Sequence, residues 1–358
     1  MTDLEPGTMA DHTIALKLRE IVRETDDAKT FIFETADGSA LPYKAGQFLT
    51  FLIEIHGHEV RRSYSMSSAP GVDEYPAITV KRVPNGEISR FWIDTVQPGQ
   101  TFRVLAPSGR FTLEKEDTGP RDIVLIGAGS GITPLFSLLK QTLTQENESR
   151  VTLIYASRNI RNTLFWQHIT QWQERFPERL RVIHIHSQPT DDWNGIRGRI
   201  NNTRLEQLVN QSIVYNPQDA RFFICGPFDL MRSTEITLHF MGFRSAQIRK
   251  ENFVITSPPP PPPVSYPHRI ALHFRGAIYD LLVPAHSTVL DAALAEGIQL
   301  PYSCKGGRCS SCAAVCTHGH VHMSVNEVLT DRDLAAGWIL TCSSYVDSED
   351  VVVEFRQE

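Results

Sequence analysis

From residue 13 to 113, short runs alternate apolar and polar positions: "TIALKLREIV", "TFIFET", "FLTFLIEI", "AITVKRV" and "FRVLAPSGRFTL", with Gly, Pro, Asp and Asn between them. A period of two buries one face of each run and wets the other, which predicts an antiparallel β-sheet or β-barrel. One stretch, "EISRFWIDTV", breaks the rhythm and predicts a helix. From Asp122 the pattern changes. Apolar runs "DIVLIG", "VTLIYAS", "LRVIHIHS" and "RFFICG" are separated by the helix-period stretches "ITPLFSLLKQTL", "TLFWQHITQWQERF", "RLEQLVN" and "DLMRSTEITLHFMG". Strands apolar on both faces with helices between them predict a parallel, doubly wound α/β sheet. After Pro267, "RIALHF" and "IYDLLVP" predict a hairpin, "TVLDAALAEG" a short helix stopped by Gly297, and "VVVEF" a closing strand, together an α+β module.

"SPPPPPPVSYP", Ser257 to Pro267, separates the last two units. Six prolines favour an extended polyproline II spacer, roughly 19 Å long at ~3.1 Å per residue. The chain is thus expected to be multidomain: residues 11–115 a β unit, 120–255 an α/β unit, 256–267 a proline-rich linker and 268–358 an α+β unit.

Composition narrows the chemistry. With 358 residues, 41 % apolar and 21 % charged, the chain can bury ordinary cores. The opening "MTDLEPGTMADHT" is polar and acidic, unlike a secretory signal, and a membrane-length run of about 18 apolar residues does not occur. These features predict a cytoplasmic protein in reducing surroundings, where clustered cysteines bind metal or do redox work more often than they form disulfides. A net charge of −6 tells against nucleic acid as a partner. The acidity is concentrated: from Pro267 onward 6 Lys+Arg face 11 Asp+Glu, a surface suited to a basic patch on a partner.

That acidic unit also holds five of the six cysteines. Cys304, Cys309 and Cys312 in "YSCKGGRCSSCAAVC", with remote Cys342, give C-x4-C-x2-C plus a distant fourth, the plant-type 2Fe-2S spacing. A zinc site would more often pair two C-x2-C units or add spaced histidines. A set using Cys316 in place of Cys342 fits the bacterial run poorly, so Cys316 is expected to be a packed thiol. In "THGHVHM", His318, His320 and His322 alternate as on one strand face and read as a solvated hairpin rather than a metal site.

Upstream, "LIGAGSGITP" sets Gly127, Gly129 and Gly131 between a strand and a helix opening at Thr133-Pro134. Such a turn lets a pyrophosphate approach a helix N-terminus, or is simply a glycine-rich turn, since the spacing is G-x-G-x-G. Cys225, Gly226 and Pro227 end another apolar strand, where a thiol either faces the ligand crevice or is a buried small hydrophobe. In "RRSYSMSS", Arg62 and Tyr64 share a strand face, so a guanidinium and a ring could serve one flat anionic ligand with Ser65 at its edge; a polar solvent face is the alternative. Gly86 to Ser89 in "PNGEISRF" offers a second phosphate seat.

Together these segments resemble the ferredoxin–NAD(P) reductase superfamily, and within it oxygenase reductases that carry a C-terminal plant-type ferredoxin domain of the β-grasp kind. The resemblance rests on Arg62-Ser63-Tyr64-Ser65, Pro107 to Phe111, Gly127 to Pro134, Cys225 to Pro227 and the cluster cysteines, and it spans Asp11 to Phe355. The reductases of 3-ketosteroid 9α-hydroxylase systems are the nearest pattern, and those of phenylacetyl-CoA epoxidase the next. The resemblance implies FAD, a 2Fe-2S cluster and NADH or NADPH as coenzyme. It implies that Arg62, Tyr64, Ser65, Lys81, Gly86 and Ser89 hold the flavin. Gly127, Gly129, Gly131, Thr133, Gly226 and Pro227 would hold the coenzyme, with Cys225 beside its nicotinamide and Ser65, Thr133 and Cys225 as the catalytic set. Phe253 in "ENF" matches a flavin-side aromatic loosely, and Ser157-Arg158 in "ASRN" stand where a 2′-phosphate could be read. Hydride would pass from NAD(P)H to the flavin and single electrons through Cys304, Cys309, Cys312 and Cys342 to a terminal oxygenase of the Rieske type. The rival readings are another acceptor, a flavin and cluster sensing module without turnover, and a zinc-stabilised nucleotide-binding protein.

Overall fold

The computed structural model describes residues 13–114, 119–253 and 266–356. The proline run lies outside the described residues. In the N-terminal unit, strands β1 (Ile14–Thr25), β2 (Ala28–Thr35), β3 (Phe48–Ile55), β4 (His58–Ser65) and β5 (Ala77–Lys81) are followed by helix α1 (Glu87–Asp94) and strand β6 (Thr101–Val104). They form an antiparallel sheet in the order β4-β3-β6-β1-β2-β5. The β3–β4 hairpin turns through His56 (φ 51) and Gly57 (φ 77), both left-handed as a two-residue turn requires. Among the described residues the outer strands β4 and β5 meet through an isolated bridge at Met66 and Ile78 rather than a continuous ladder, so the sheet curls without closing as a barrel ladder. The expected strand "FRVLAPSGRFTL" is a strand only as far as Val104. Beyond it, Gly109 (φ 123) breaks the run, and Ser108 bridges back to Phe48. Trp92 of α1 is fully buried and packs edge-on to Phe31 and Phe51 (centroids 4.9 and 5.0 Å), which pins the helix beneath the sheet.

The middle unit runs β7 (Asp122–Ala128), α2 (Ile132–Gln145), β8 (Arg150–Ser157), α3 (Trp166–Arg175), β9 (Leu180–His186), β10 (Ile196–Arg197), α4 (Asn202–Asn210), β11 (Arg221–Cys225), α5 (Phe228–Phe240) and β12 (Ile248–Glu251). Its sheet is parallel in the order β10-β9-β8-β7-β11-β12. Both faces are covered, because Ile123 and Leu125 enter one core and Val124 and Ile126 the other. That is why these strands read as unbroken apolar runs. Helix α3 starts at Trp166, not at Thr163 as its pattern suggests, since Phe165 is left-handed (φ 58). Strand order reverses between β7 and β11, and ligands of open α/β sheets bind beyond the strand ends at such a switch.

The C-terminal unit comprises β13 (His268–Phe274), β14 (Ala277–Val283), α6 (Val289–Ala295), β15 (Ala313–His318), β16 (Val321–Met323), α7 (Asp331–Ala335), β17 (Trp338–Leu340), β18 (Ser344–Val346) and β19 (Val351–Glu354). A mixed sheet in the order β14-β13-β19-β15-β17 stands beside the pair β16-β18. Thr288 caps α6 by accepting from the Asp291 amide, and Gly297 (φ 77) follows its end, as the sequence suggests. The three histidines do not share a strand face or a hairpin. His318 ends β15, Gly319 (φ 72) turns the chain, and His322 lies on β16, which pairs with β18. His320 Nδ1 lies 2.9 Å from Asp347 Oδ1. Among the described residues no helix is long and apolar enough to cross a membrane.

Candidate functional site

A cavity of about 480 Å³ opens where the three units meet. The N-terminal sheet contributes Arg62, Tyr64, Ser65 and Lys81, and the start of α1 contributes Gly86 and Ser89. The middle unit adds Ser130, Thr133, Glu251, Asn252 and Phe253, and the C-terminal unit adds Ser303, Cys304, Arg308 and Cys309. Tyr64 is half-buried against Phe51 and Trp92, and burial pushes its phenol up, so it serves as a neutral ring. Lys81 lies 3.5 Å from Asp27, and Arg62 donates to the Arg61 carbonyl at 2.8 Å. At α1, Gly86 is the N-cap and no side chain caps the helix; Ser89 Oγ instead accepts from the Val83 amide and donates to the Gly86 carbonyl, both at 3.0 Å. Uncapped amides beside a guanidinium and an ammonium, next to a neutral ring, fit a phosphate-bearing flavin.

The switch-point turn explains its own glycines. A Cβ on Gly131 would lie 2.1 Å from the Cys225 carbonyl oxygen, and one on Gly127 2.5 Å from Leu135. Gly129 is left-handed (φ 57). Thr133 is buried at the start of α2 and donates to the Ser130 carbonyl at 2.9 Å. Across the strand ends, Gly127, Cys225 and Glu251 stand in register on β7, β11 and β12. Cys225 is fully buried and Gly226 packs on Ala128, with Pro227 as the N-cap of α5. Ser157 and Arg158 are not brought to this cavity. They end β8, where the Ser157 hydroxyl lies 2.6 Å from that of Thr163 and Arg158 is exposed.

Glu251 is the residue that sequence reasoning missed. It is 7 % exposed, accepts from Ser65 Oγ at 2.6 Å, and has its carboxyl pushed up to about 7 by burial, with the Ser65 bond opposing. A raised carboxyl favours the fold when protonated, so its contribution is complete below about pH 4.5 and disappears as pH rises through about 7. Glu251→Gln is therefore expected to gain stability relative to the parent across that window, by up to about 3 kcal/mol. Thermal melts of both proteins against pH check this, and parallel curves would contradict it.

The four cluster cysteines are brought together. Cys309 and Cys342 side chains hydrogen-bond Cys304 and pull its thiol well below the usual range, while Cys304 and Cys312 push Cys342 up. Backbone amides aim at the sulfurs: Cys304 N to Cys309 Sγ at 3.5 Å, Gly306 N to Cys304 Sγ at 3.4 Å, and Gly307 N to Cys342 Sγ at 3.3 Å. Among the described residues the side chains are not grouped as a single-ion site. Four crowded thiols with amide donors fit a binuclear cluster, which is tuned by such bonds. Cys316 stands apart and donates to the His318 carbonyl at 3.2 Å.

Comparison with known proteins gives three domain matches: residues 15–113 to an oxidoreductase FAD-binding domain, 125–235 to an oxidoreductase NAD-binding domain and 276–347 to a 2Fe-2S iron-sulfur cluster binding domain. The ferredoxin reductase component of 3-ketosteroid-9-alpha-monooxygenase from Mycobacterium tuberculosis is 34 % identical over 98 % of both chains. The chain belongs to the ferredoxin–NAD(P) reductase superfamily, among its oxygenase reductases. A component of 1,2-phenylacetyl-CoA epoxidase from Escherichia coli is 32 % identical to this reductase over 95 % of its length and 97 % of the relative's. Phthalate dioxygenase reductase shares the fold of the whole reductase, with a TM-score of 0.59 at 23 % identity over 96 % of this chain and 98 % of that one. FAD-binding, NAD-binding and 2Fe-2S domains are thus all present.

Proposed function

We propose that this reductase supplies electrons from NADH or NADPH to the terminal oxygenase of a 3-ketosteroid 9α-hydroxylase system, with a Rieske-type oxygenase as partner. The observation that carries the electron-relay reading is the cavity where Tyr64 and Ser65, the coenzyme-side Thr133 and Glu251, and the cluster loop at Cys304 and Cys309 line one space. The 34 % identity to the M. tuberculosis reductase component supports the steroid assignment. The 32 % identity to the epoxidase component keeps a phenylacetyl-CoA epoxidase system as a second reading. The proposed domain limits are 11–115, 120–255 and 268–358, joined by the linker at 256–267.

When bound, the flavin accepts hydride from the coenzyme, and the cluster carries electrons singly. The residues of the chain do the rest. Arg62, Lys81 and the α1 amides from Gly86 to Ser89 hold phosphate, and Tyr64 fixes the plane of the flavin ring. Ser65 is oriented by Glu251 so that its hydroxyl stays at the cavity wall. Gly127, Gly129 and Gly131 admit the pyrophosphate to the α2 N-terminus, Thr133 lines its approach, and Gly226 and Pro227 flank it. Cys225 backs the nicotinamide position beside Glu251, Phe253 shields the flavin side, and Ser157 with Arg158 meets the adenosine end. Cys304, Cys309, Cys312 and Cys342 ligate the cluster.

The assignment is tested by reconstitution. The reductase mixed with a 3-ketosteroid 9α-hydroxylase oxygenase and coenzyme is expected to support steroid hydroxylation, and an epoxidase core to receive at least about tenfold less flux. The opposite ranking contradicts the steroid assignment.

A further inference from the structure

Helix α7 holds no cluster ligand, yet its Asp333 is where the three domains meet. Asp333 Oδ1 accepts from Arg110 Nη2 at 2.5 Å, and Oδ2 accepts from Arg249 Nη1 at 2.9 Å. Arg110 follows the N-terminal sheet and Arg249 lies on β12, so one ferredoxin-domain carboxylate is bonded to both other domains. Oδ2 also accepts from the amide and hydroxyl of its own Thr330 at 2.9 and 2.8 Å, which orients the carboxylate. Glu114 braces the node by accepting from Arg249 Nη2 at 3.1 Å and Arg332 Nη1 at 2.9 Å. The Arg110 guanidinium lies 4.1 Å over the Trp338 ring. Asp333 is 3 % exposed and the Arg110 and Arg249 side chains are largely covered, so these two pairs are shielded from salt, whereas the Glu114–Arg332 pair is open to solvent.

Among the described residues, other contacts between these domains include the Ser63–Ser303 hydroxyl bond at 2.7 Å, Arg61 over Tyr302 at 4.3 Å, and Asn252 with Glu327. Ser63, Ser303 and Asn252 line the cavity, whereas Arg110, Arg249 and Asp333 stand outside its lining. We propose that Asp333 is a positioning residue for electron transfer from flavin to cluster, its double ion pair holding the Cys304–Cys309 loop against the flavin cavity. This rests on the electron-relay reading of the cavity. The electrons balance without a new reagent: each coenzyme oxidised gives up an electron pair, which leaves singly through the cluster to an external one-electron acceptor. Transfer falls steeply with separation, so a domain released from this seat loses the relay but keeps hydride chemistry.

The test compares Asp333→Asn and Arg110→Gln holoproteins with the parent, by stopped-flow spectroscopy and by solution scattering. Arg110→Gln spares the Thr330 cap, so it covers the case in which Asp333→Asn does not fold. Flavin reduction by coenzyme is expected within about twofold of the parent, cluster reduction to slow by about tenfold or more, and the maximum dimension in scattering to grow. Asp333→Glu is expected to restore part of the cluster rate. Variants that melt earlier but reduce the cluster at the parental rate and scatter like the parent would overturn the proposal and leave Asp333 a helix cap. A parent whose cluster never reduces while its flavin does would instead overturn the relay reading itself, and this inference with it.

Discussion

Cys342→Ala is expected to give a yellow protein that keeps its flavin and loses its cluster. Cys342 reaches the loop of Cys304, Cys309 and Cys312 from beyond β17, is buried, and receives the Gly307 amide at 3.3 Å. In the proposed relay it is the remote closing ligand, and Cys316 is not expected to replace it, since that thiol is turned toward the His318 carbonyl. Cytochrome c reduction should fall by about 100-fold or more, because its electrons leave through the cluster. Ferricyanide reduction, which draws directly on flavin, should stay within about twofold. Absorption spectra, low-temperature electron paramagnetic resonance and both assays check this. Cys316→Ala should leave all of them unchanged, and a cluster that survives Cys342→Ala but not Cys316→Ala would reverse the ligand assignment.

Gly131→Ala is expected to damage both stability and coenzyme binding. The added Cβ would stand 2.1 Å from the Cys225 carbonyl oxygen and 2.4 Å from its carbon. Those atoms belong to the backbone of β11, which is paired with both β7 and β12, so neither strand end can yield alone. Overpacking of this kind costs about 3 kcal/mol, which lowers the melting temperature of a domain this size by roughly 6–12 °C. The displaced turn should also raise the coenzyme KM. Gly129→Ala meets no atom within 4 Å and loses only what its left-handed backbone costs, about 1 kcal/mol. Differential scanning calorimetry should rank the two variants in that order; equal losses would show that the contact with Cys225 does not select the glycine at 131, whose backbone is right-handed (φ −61).

Local pattern carried the parts of this molecule that are built from neighbours in sequence. The C-x4-C-x2-C spacing, the glycine turn after β7 and the alternating runs of the N-terminal sheet each name their structure within a few residues. Glu251 was hidden because "QIRKENF" is too short and polar to show a period, and its partner Ser65 lies 186 positions away. The Asp333 node was hidden for the same reason, since Arg110 lies 223 positions before it. The first sheet's outer strands meet at an isolated Met66–Ile78 bridge, with Ser67 and Ser68 bonded to Thr79 and Ala77, and no repeat announces it. His318, His320 and His322 alternated convincingly, and one left-handed glycine between them undid the pattern. Spacing thus singled out the four cysteines that the fold gathers, while the contacts between domains came only with the fold.

If coenzyme, flavin and cluster form one relay in this chain, anaerobic titration of the purified protein with NADH and then NADPH, followed by absorption, will reveal it. The flavin band and the broad cluster absorbance are expected to bleach together, complete at about 1.5 equivalents of coenzyme, since the flavin takes an electron pair and the cluster one electron. The coenzyme that achieves this at lower concentration reveals whether Ser157 and Arg158 read a 2′-phosphate. A flavin that bleaches at about one equivalent beside an unchanged cluster, or a spectrum with no cluster absorbance, would contradict the relay.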